Sequence, residues 1–105
     1  IDADDLLELK ETGTGIGYFD LDRLQFPLLA RNFRPGDRFS PLGVNGTQKV
    51  KSYFINQKIP GAQRRKCPLL LSGGNIIWIA GHRIDNAVKV RPQTRRILKA
   101  ELLLA

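Results

Sequence analysis

Pro68-Leu69-Leu70-Leu71-Ser72-Gly73-Gly74-Asn75-Ile76-Ile77-Trp78-Ile79 is the stretch on which the fold turns. Two apolar, β-favouring runs, 68–71 and 76–79, flank four turn formers. That pattern predicts a β-hairpin. Ser72-Gly73-Gly74 also resembles the start of a phosphate loop, but Asn75 and Ile76 stand where such a loop continues with Asp and Ser. No helix start lies downstream to seat a phosphate, so the segment reads as a hairpin turn. Trp78, flanked by isoleucines, reads as core.

Upstream of the hairpin, 28–33 reads as another strand. Arg34-Pro35-Gly36-Asp37 suits a type II turn, with proline fixing φ at the second position and glycine taking positive φ at the third. The segment 47–58 is the best helix candidate. Thr47 can cap it, and Val50 and Phe54 share a stripe at helical spacing. Pro60-Gly61 ends it, and a basic stretch, Gln63-Arg64-Arg65-Lys66, follows. Nearer the start, Leu7 and Leu9 alternate with polar residues, and 16–19 is extended after the turn Thr12-Gly13-Thr14-Gly15. Beyond the hairpin, 88–90 and 97–104 add strands, the last run being equally readable as helix. The expected fold class is α+β: one small, strand-rich domain over 1–105, with one main helix at about 47–58.

The 105 residues, 42% of them hydrophobic, suffice for one core. The chain begins at Ile1 and has no methionine, which reads as a piece cut from a longer protein. A lone cysteine, Cys67, excludes an internal disulfide. No apolar run approaches the roughly 20 residues of a membrane span, so a cytoplasmic location and no membrane partner are expected.

Charge is divided unevenly. Residues 1–30 hold seven acids and two bases, net −5, whereas residues 31–105 hold fifteen bases and three acids, net +12. A solvated face normally mixes signs, so an excess of this size points to a polyanion. The bases in loop-like or helix-flanking positions are the candidate RNA-binding residues: Arg31, Arg34, Arg38, Lys49, Lys51, Lys58, Arg64, Arg65 and Arg83. The planar fork of arginine suits phosphate. Pro35 and Gly36 are read as the rigid turn, and Asp37 and Asp85 as carboxylates that orient neighbouring arginines or fix loops.

Groups that could carry chemistry are sparse. His82 is the single histidine, with no carboxylate or cysteine constellation around it in sequence, and one His with one Cys makes a zinc site implausible. No catalytic residue, metal or cofactor is assigned to the chain. Phe39 and Tyr53 could stack on a base but more often anchor loops and helices. Gly13-Thr14-Gly15-Ile16-Gly17 lacks the strand–turn–helix context of a dinucleotide loop.

Several pieces then fall in a recognisable order. The run Arg31-Asn32-Phe33-Arg34-Pro35-Gly36-Asp37-Arg38-Phe39-Ser40-Pro41-Leu42-Gly43 resembles the signature of the C-terminal domain of bacterial tRNA(Ile)-lysidine synthetase. So do Lys49 with Lys51 and Phe54, Lys58-Ile59-Pro60, Arg64, Pro68-Leu69-Leu70, Trp78 and Gly81-His82-Arg83-Ile84-Asp85. The resemblance covers about residues 16–104. It implies a parent ligase that uses ATP and magnesium, held in an N-terminal domain outside this chain, to attach lysine to the first anticodon cytidine of an isoleucine tRNA with a CAU anticodon. This domain is then expected to hold the tRNA, chiefly at the acceptor stem, beside the rest of the parent enzyme.

Three other readings stand beside that one. The chain could bind structured RNA in general. It could be a protein-interaction module or homodimer, the acidic segment of one copy meeting the basic region of another. It could be a self-contained enzyme using Asp37, His82 or Asp85, which the lack of a nucleophile–base grouping disfavours.

Overall fold

The computed structural model describes residues 15–43 and 46–102. Its centre is the hairpin: β5 (Pro68–Ser72) and β6 (Asn75–Ile79) pair antiparallel around Gly73 and Gly74. Both glycines take positive φ, +56° and +84°, as a two-residue type I′ turn requires. β2 (Leu28–Asn32) pairs with β5, and β7 (Arg83–Ile84) with β6, giving a four-stranded sheet in the order β2-β5-β6-β7. Two small antiparallel pairs flank it. β1 (Ile16–Asp20) pairs with β8 (Ile97–Glu101), and β3 (Arg38–Phe39) with β4 (Gln48–Lys49).

The hairpin is apolar throughout because it is covered on both faces. On one side, Leu69, Leu71, Ile76 and Ile79 pack with Phe39, Val50, Tyr53, Phe54, Ile59 and Cys67. On the other, Ile77 and Trp78 pack with Phe19, Ala80 and Val88. Strict alternation would put adjacent residues 77 and 78 on opposite faces. A bulge breaks it: Leu71 opposes Ile76 while Leu70 opposes Trp78, so Ile77 is the extra residue. The Trp78 ring meets Phe19 edge to face at 5.8 Å, which ties the β1–β8 pair to the sheet.

The main helix is shorter than the sequence predicts. α1 covers Val50–Asn56 and buries Val50, Tyr53 and Phe54, one stripe at i, i+3, i+4 spacing. Gln48 and Lys49 are claimed by the β3–β4 pair, so Thr47 does not cap the helix; the Asp37 carbonyl instead accepts the Val50 N–H at 2.9 Å. Past the helix, Lys58 adopts φ +56°. The Lys58 N–H donates to the Ile55 carbonyl and the Ile59 N–H to the Phe54 carbonyl, both at 3.0 Å, the paired bonds of a Schellman cap. A second short helix, α2 (Gly61–Lys66), follows where the sequence shows only a basic stretch.

Two further expectations change. The segment 88–90 does not form a strand; Asn86–Val88 is a 3-10 turn, capped when the Asp85 carboxylate accepts the Ala87 N–H at 2.8 Å. The open choice at 97–104 resolves to strand over Ile97–Glu101, paired residue by residue with β1, while 103–104 lie outside the described residues. The strand expected around Leu7 and Leu9 also lies outside them. No described helix is long and apolar enough to cross a membrane.

Candidate nucleic-acid interface

The Arg34–Asp37 turn leaves β2 and leads into β3. The Asp37 N–H donates to the Arg34 carbonyl at 3.1 Å and Gly36 takes φ +90°, the geometry of a type II turn. Its anchor is the Asp37 side chain. Arg31, at the far end of β2, donates to both carboxylate oxygens at 2.9 Å, a bidentate fork, and also to the Asn32 carbonyl at 3.0 Å. The Arg34 N–H donates to the same carboxylate at 2.8 Å. The fork to Arg31, then the Arg34 N–H, holds the Asp37 carboxyl below the usual carboxylate range, and Asp37 in turn raises the Arg31 guanidinium. The partner of Asp37 is therefore Arg31, six residues away across the turn, with Arg34 bonded through its backbone. Arg31 turns inward, its side chain only 17% exposed.

Arg38 and Lys49 have a different setting. They are direct Cα partners in β3–β4, both exposed. Like charges placed opposite one another in an antiparallel pair destabilise it. Neither forms an ion pair among the described residues; Arg38 has only a long contact, 3.5 Å, to the Thr47 hydroxyl. Lys51 and Lys58 are exposed on and just past α1, and Arg65 on α2. Arg64 is half-buried and spends its Nε on the Ile59 carbonyl at 2.7 Å. Arg83 donates to the Leu42 carbonyl at 3.1 Å.

Asp85 does not orient Arg83. It is buried, and its two oxygens accept the Ser40 and Ala87 N–H groups, each at 2.8 Å. It pins the end of β3 to the turn after β7, next to the isolated bridge between Pro41 and Asp85. Phe39 and Tyr53 are buried and meet edge to face at 5.7 Å, so they anchor and do not stack. The His82 ring lies 6.3 Å from Tyr53, and partial burial lowers its pKa. Burial pushes the Cys67 thiol up to about 11, away from reactivity. Among the described residues no three His, Cys, Asp or Glu could share a metal ion. The Ser72–Asn75 turn runs straight into β6, so it cannot seat a nucleotide phosphate on a helix start.

A polar cleft of about 660 Å³ runs between the β3 segment and the tip of the hairpin, lined by Arg23, Arg31, Asp37, Arg38, Thr47 and Asn75 among others. Sequence reasoning missed Arg23 and Thr47. Arg23 sits in the acidic first third, where its neighbours' charge masks it, and Thr47 carries the signal of a helix cap. The basic residues thus separate into a structural arginine, Arg31, two tied through hydrogen bonds, Arg64 and Arg83, and an exposed set centred on Arg38 and Lys49.

Comparison with known proteins agrees with this architecture. The family described as TilS substrate C-terminal domain matches residues 24–100. A tRNA(Ile)-lysidine synthase of Caldanaerobacter subterraneus subsp. tengcongensis is 39% identical over 89 residues, 85% of this chain and 19% of that protein. The tRNA(Ile)-lysidine synthase of Geobacter sulfurreducens is 42% identical over 85 residues, 81% of this chain and 18% of that protein. The chain therefore spans about a fifth of the length of these relatives. A crystal structure of the TilS C-terminal domain superposes with TM-score 0.73 at 31% identity, covering 91% of this chain and 76% of that one. An N-terminal fragment of the phenylalanyl-tRNA synthetase β-subunit from Pyrococcus horikoshii shares the fold at TM-score 0.65 and 21% identity, over 80% of this chain and 26% of that one. By sequence match and by fold, the chain belongs to the TilS substrate C-terminal domain family.

Proposed function

We propose that this chain is the tRNA-holding domain of an ATP-dependent ligase that attaches lysine to the first anticodon cytidine of an isoleucine tRNA. It grips the acceptor stem and leaves ATP, magnesium and the chemistry to the rest of the parent enzyme. The observation that carries the reading is the Arg38–Lys49 cross-strand pair. Two cations face each other with no carboxylate between them among the described residues, a local cost that an incoming phosphate relieves. The rigid Arg34–Asp37 turn leading directly into β3 holds that pair in place before RNA arrives, so little ordering entropy remains to be lost on binding. A-form stems are read through backbone, shape and 2′-hydroxyls, which suits a surface of exposed bases on short strands.

The test is a filter-binding titration of an isoleucine tRNA transcript against salt, with the parent chain and a variant carrying Arg38→Ala and Lys49→Ala. The parent should lose affinity steeply with salt. The variant should bind more weakly, and its log–log slope should be shallower by about 1.4–1.8, two phosphate contacts at 0.7–0.9 each. An affinity indifferent to salt, or a folded variant that binds like the parent, overturns the reading.

A further inference from the structure

Lys58 is the sole non-glycine residue at positive φ among the described residues; the other six such positions, from Gly36 to Gly81, are all glycine. It holds the position after the helix cap, where a Schellman motif favours glycine because a Cβ there crowds the backbone. Both hydrogen bonds of the motif are made through the main chain, and the apolar contact that accompanies it is supplied by Phe54 and Ile59 in one core cluster. Nothing in the fold uses the lysine side chain: it is exposed and has no bonded partner among the described residues. A cation near the carbonyl end of α1 gains some favourable interaction, but a lysine at position 56 or 57 would gain it on right-handed backbone. A strained position whose side chain the fold does not use directs attention to what that side chain can reach.

We propose that the corner between α1 and α2 is a second phosphate-holding point, with Lys58 as its reaching residue. The proposal rests on the tRNA-binding reading above and adds a place and a spacing to it. Lys49 precedes the first residue of α1, and Lys58 lies just past its last turn. Between them lies α1, seven residues long, which at helical rise is about 10 Å. The two lysines thus flank one short rigid bar, each placed to meet a phosphate of its own. The corner is itself stiff: the Gln63 and Arg64 N–H groups both donate to the Pro60 carbonyl at 3.0 Å, and the Arg64 side chain holds Ile59. The exposed Arg65 and Lys66 on the following helix keep the local potential positive.

The experiment compares parent, Lys58→Gly and Lys58→Arg by thermal unfolding and by tRNA titration against salt, with the Arg38→Ala/Lys49→Ala variant alongside. Lys58→Gly should melt higher by about 4–8 °C, the shift expected when one left-handed strain is relieved in a domain of this size. The same variant should bind tRNA more weakly, with a slope shallower by about 0.9 for one lost contact, so a fourfold rise in salt weakens it about 3.5-fold less than the parent. Lys58→Arg should restore binding without the gain in Tm. The proposal is overturned if Lys58→Gly binds like the parent, or if it is less stable than the parent, since the lysine would then serve the fold. Should only the Lys58 variants match the parent while Arg38→Ala/Lys49→Ala weakens binding, the corner fails and the tRNA reading stands. Should all variants match the parent, both fail.

Discussion

Replacing Asp37 by alanine separates a structural arginine from the binding ones. The substitution removes two bonds from Arg31 and one from the Arg34 N–H, and leaves a guanidinium that is 17% exposed without its counter-charge. Hydrogen bonds to charged groups contribute about 1.5–3 kcal/mol, and stripping the partner from a fully buried ion costs about 3–5 kcal/mol. Arg31 keeps some solvent and its bond to the Asn32 carbonyl, so the expected loss is about 2–3 kcal/mol. In a domain of about 100 residues that lowers Tm by about 10–20 °C. Arg31→Ala should fall in the same direction, and a double-mutant cycle should show strong coupling between the two positions. The pH dependence follows from the lowered carboxyl. Asp37 contributes its full stability above the unfolded value of about 3.9, and loses it as pH falls through the still lower folded value. The Tm gap between parent and Asp37→Ala, measured by circular dichroism, should therefore be widest at neutral pH and shrink as pH falls below the usual carboxylate range. Equal melting at pH 7, or a gap unchanged on acidification, would refute the clamp.

Other positions give sharper local tests. Gly36→Val meets no atom within 4 Å but needs φ near +90°, so urea denaturation should show a loss of about 1–2 kcal/mol or more from backbone strain alone. Phe19→Ala empties a fully buried site against Trp78, and its urea midpoint should fall in step with about 3–5 kcal/mol. Native Cys67, with its thiol at about 11, should resist a thiol-specific disulfide reagent at pH 8 and react once urea unfolds the chain; rapid reaction in the native state would contradict its burial.

The hairpin was legible because two glycines between apolar runs permit little else. The bulge inside it was not. Four consecutive apolar residues, Ile76 to Ile79, carry no alternation to say which side each faces, and only the two packed cores distinguish them. The helix was overextended at both ends by tertiary competition: β3 captures Gln48 and Lys49 by pairing, and the left-handed Lys58 closes the other end. α2 escaped because its exposed faces are polar or small all round, leaving no apolar stripe to read. At the candidate interface, the basic bias and the turn were visible in the residues, but the assignment of Asp37 to a particular arginine was not. Adjacency favoured Arg34 and Arg38, whereas the turn folds the carboxylate back onto Arg31 at the end of the preceding strand. Asp85 follows the second of its two readings, fixing a loop, but its partners, Ser40 and Ala87, are backbone groups that no side-chain pattern announces.

The β1–β8 pair has a mechanical consequence. Ile16 opposes Glu101 and Asp20 opposes Ile97, so the outer ends of the first and last described strands lie side by side at the same end of the ladder. A tension applied across those two ends loads the rungs one at a time, as a zipper is opened, whereas strands pulled from opposite ends share the load across every rung in shear. The central hairpin, buried on both faces, lies behind this seam, tied to it by the Phe19–Trp78 contact and by Leu98, Ala100 and Leu102 packed against the same cluster. The domain should therefore yield at low force when pulled across those two ends, its seam parting before the hairpin.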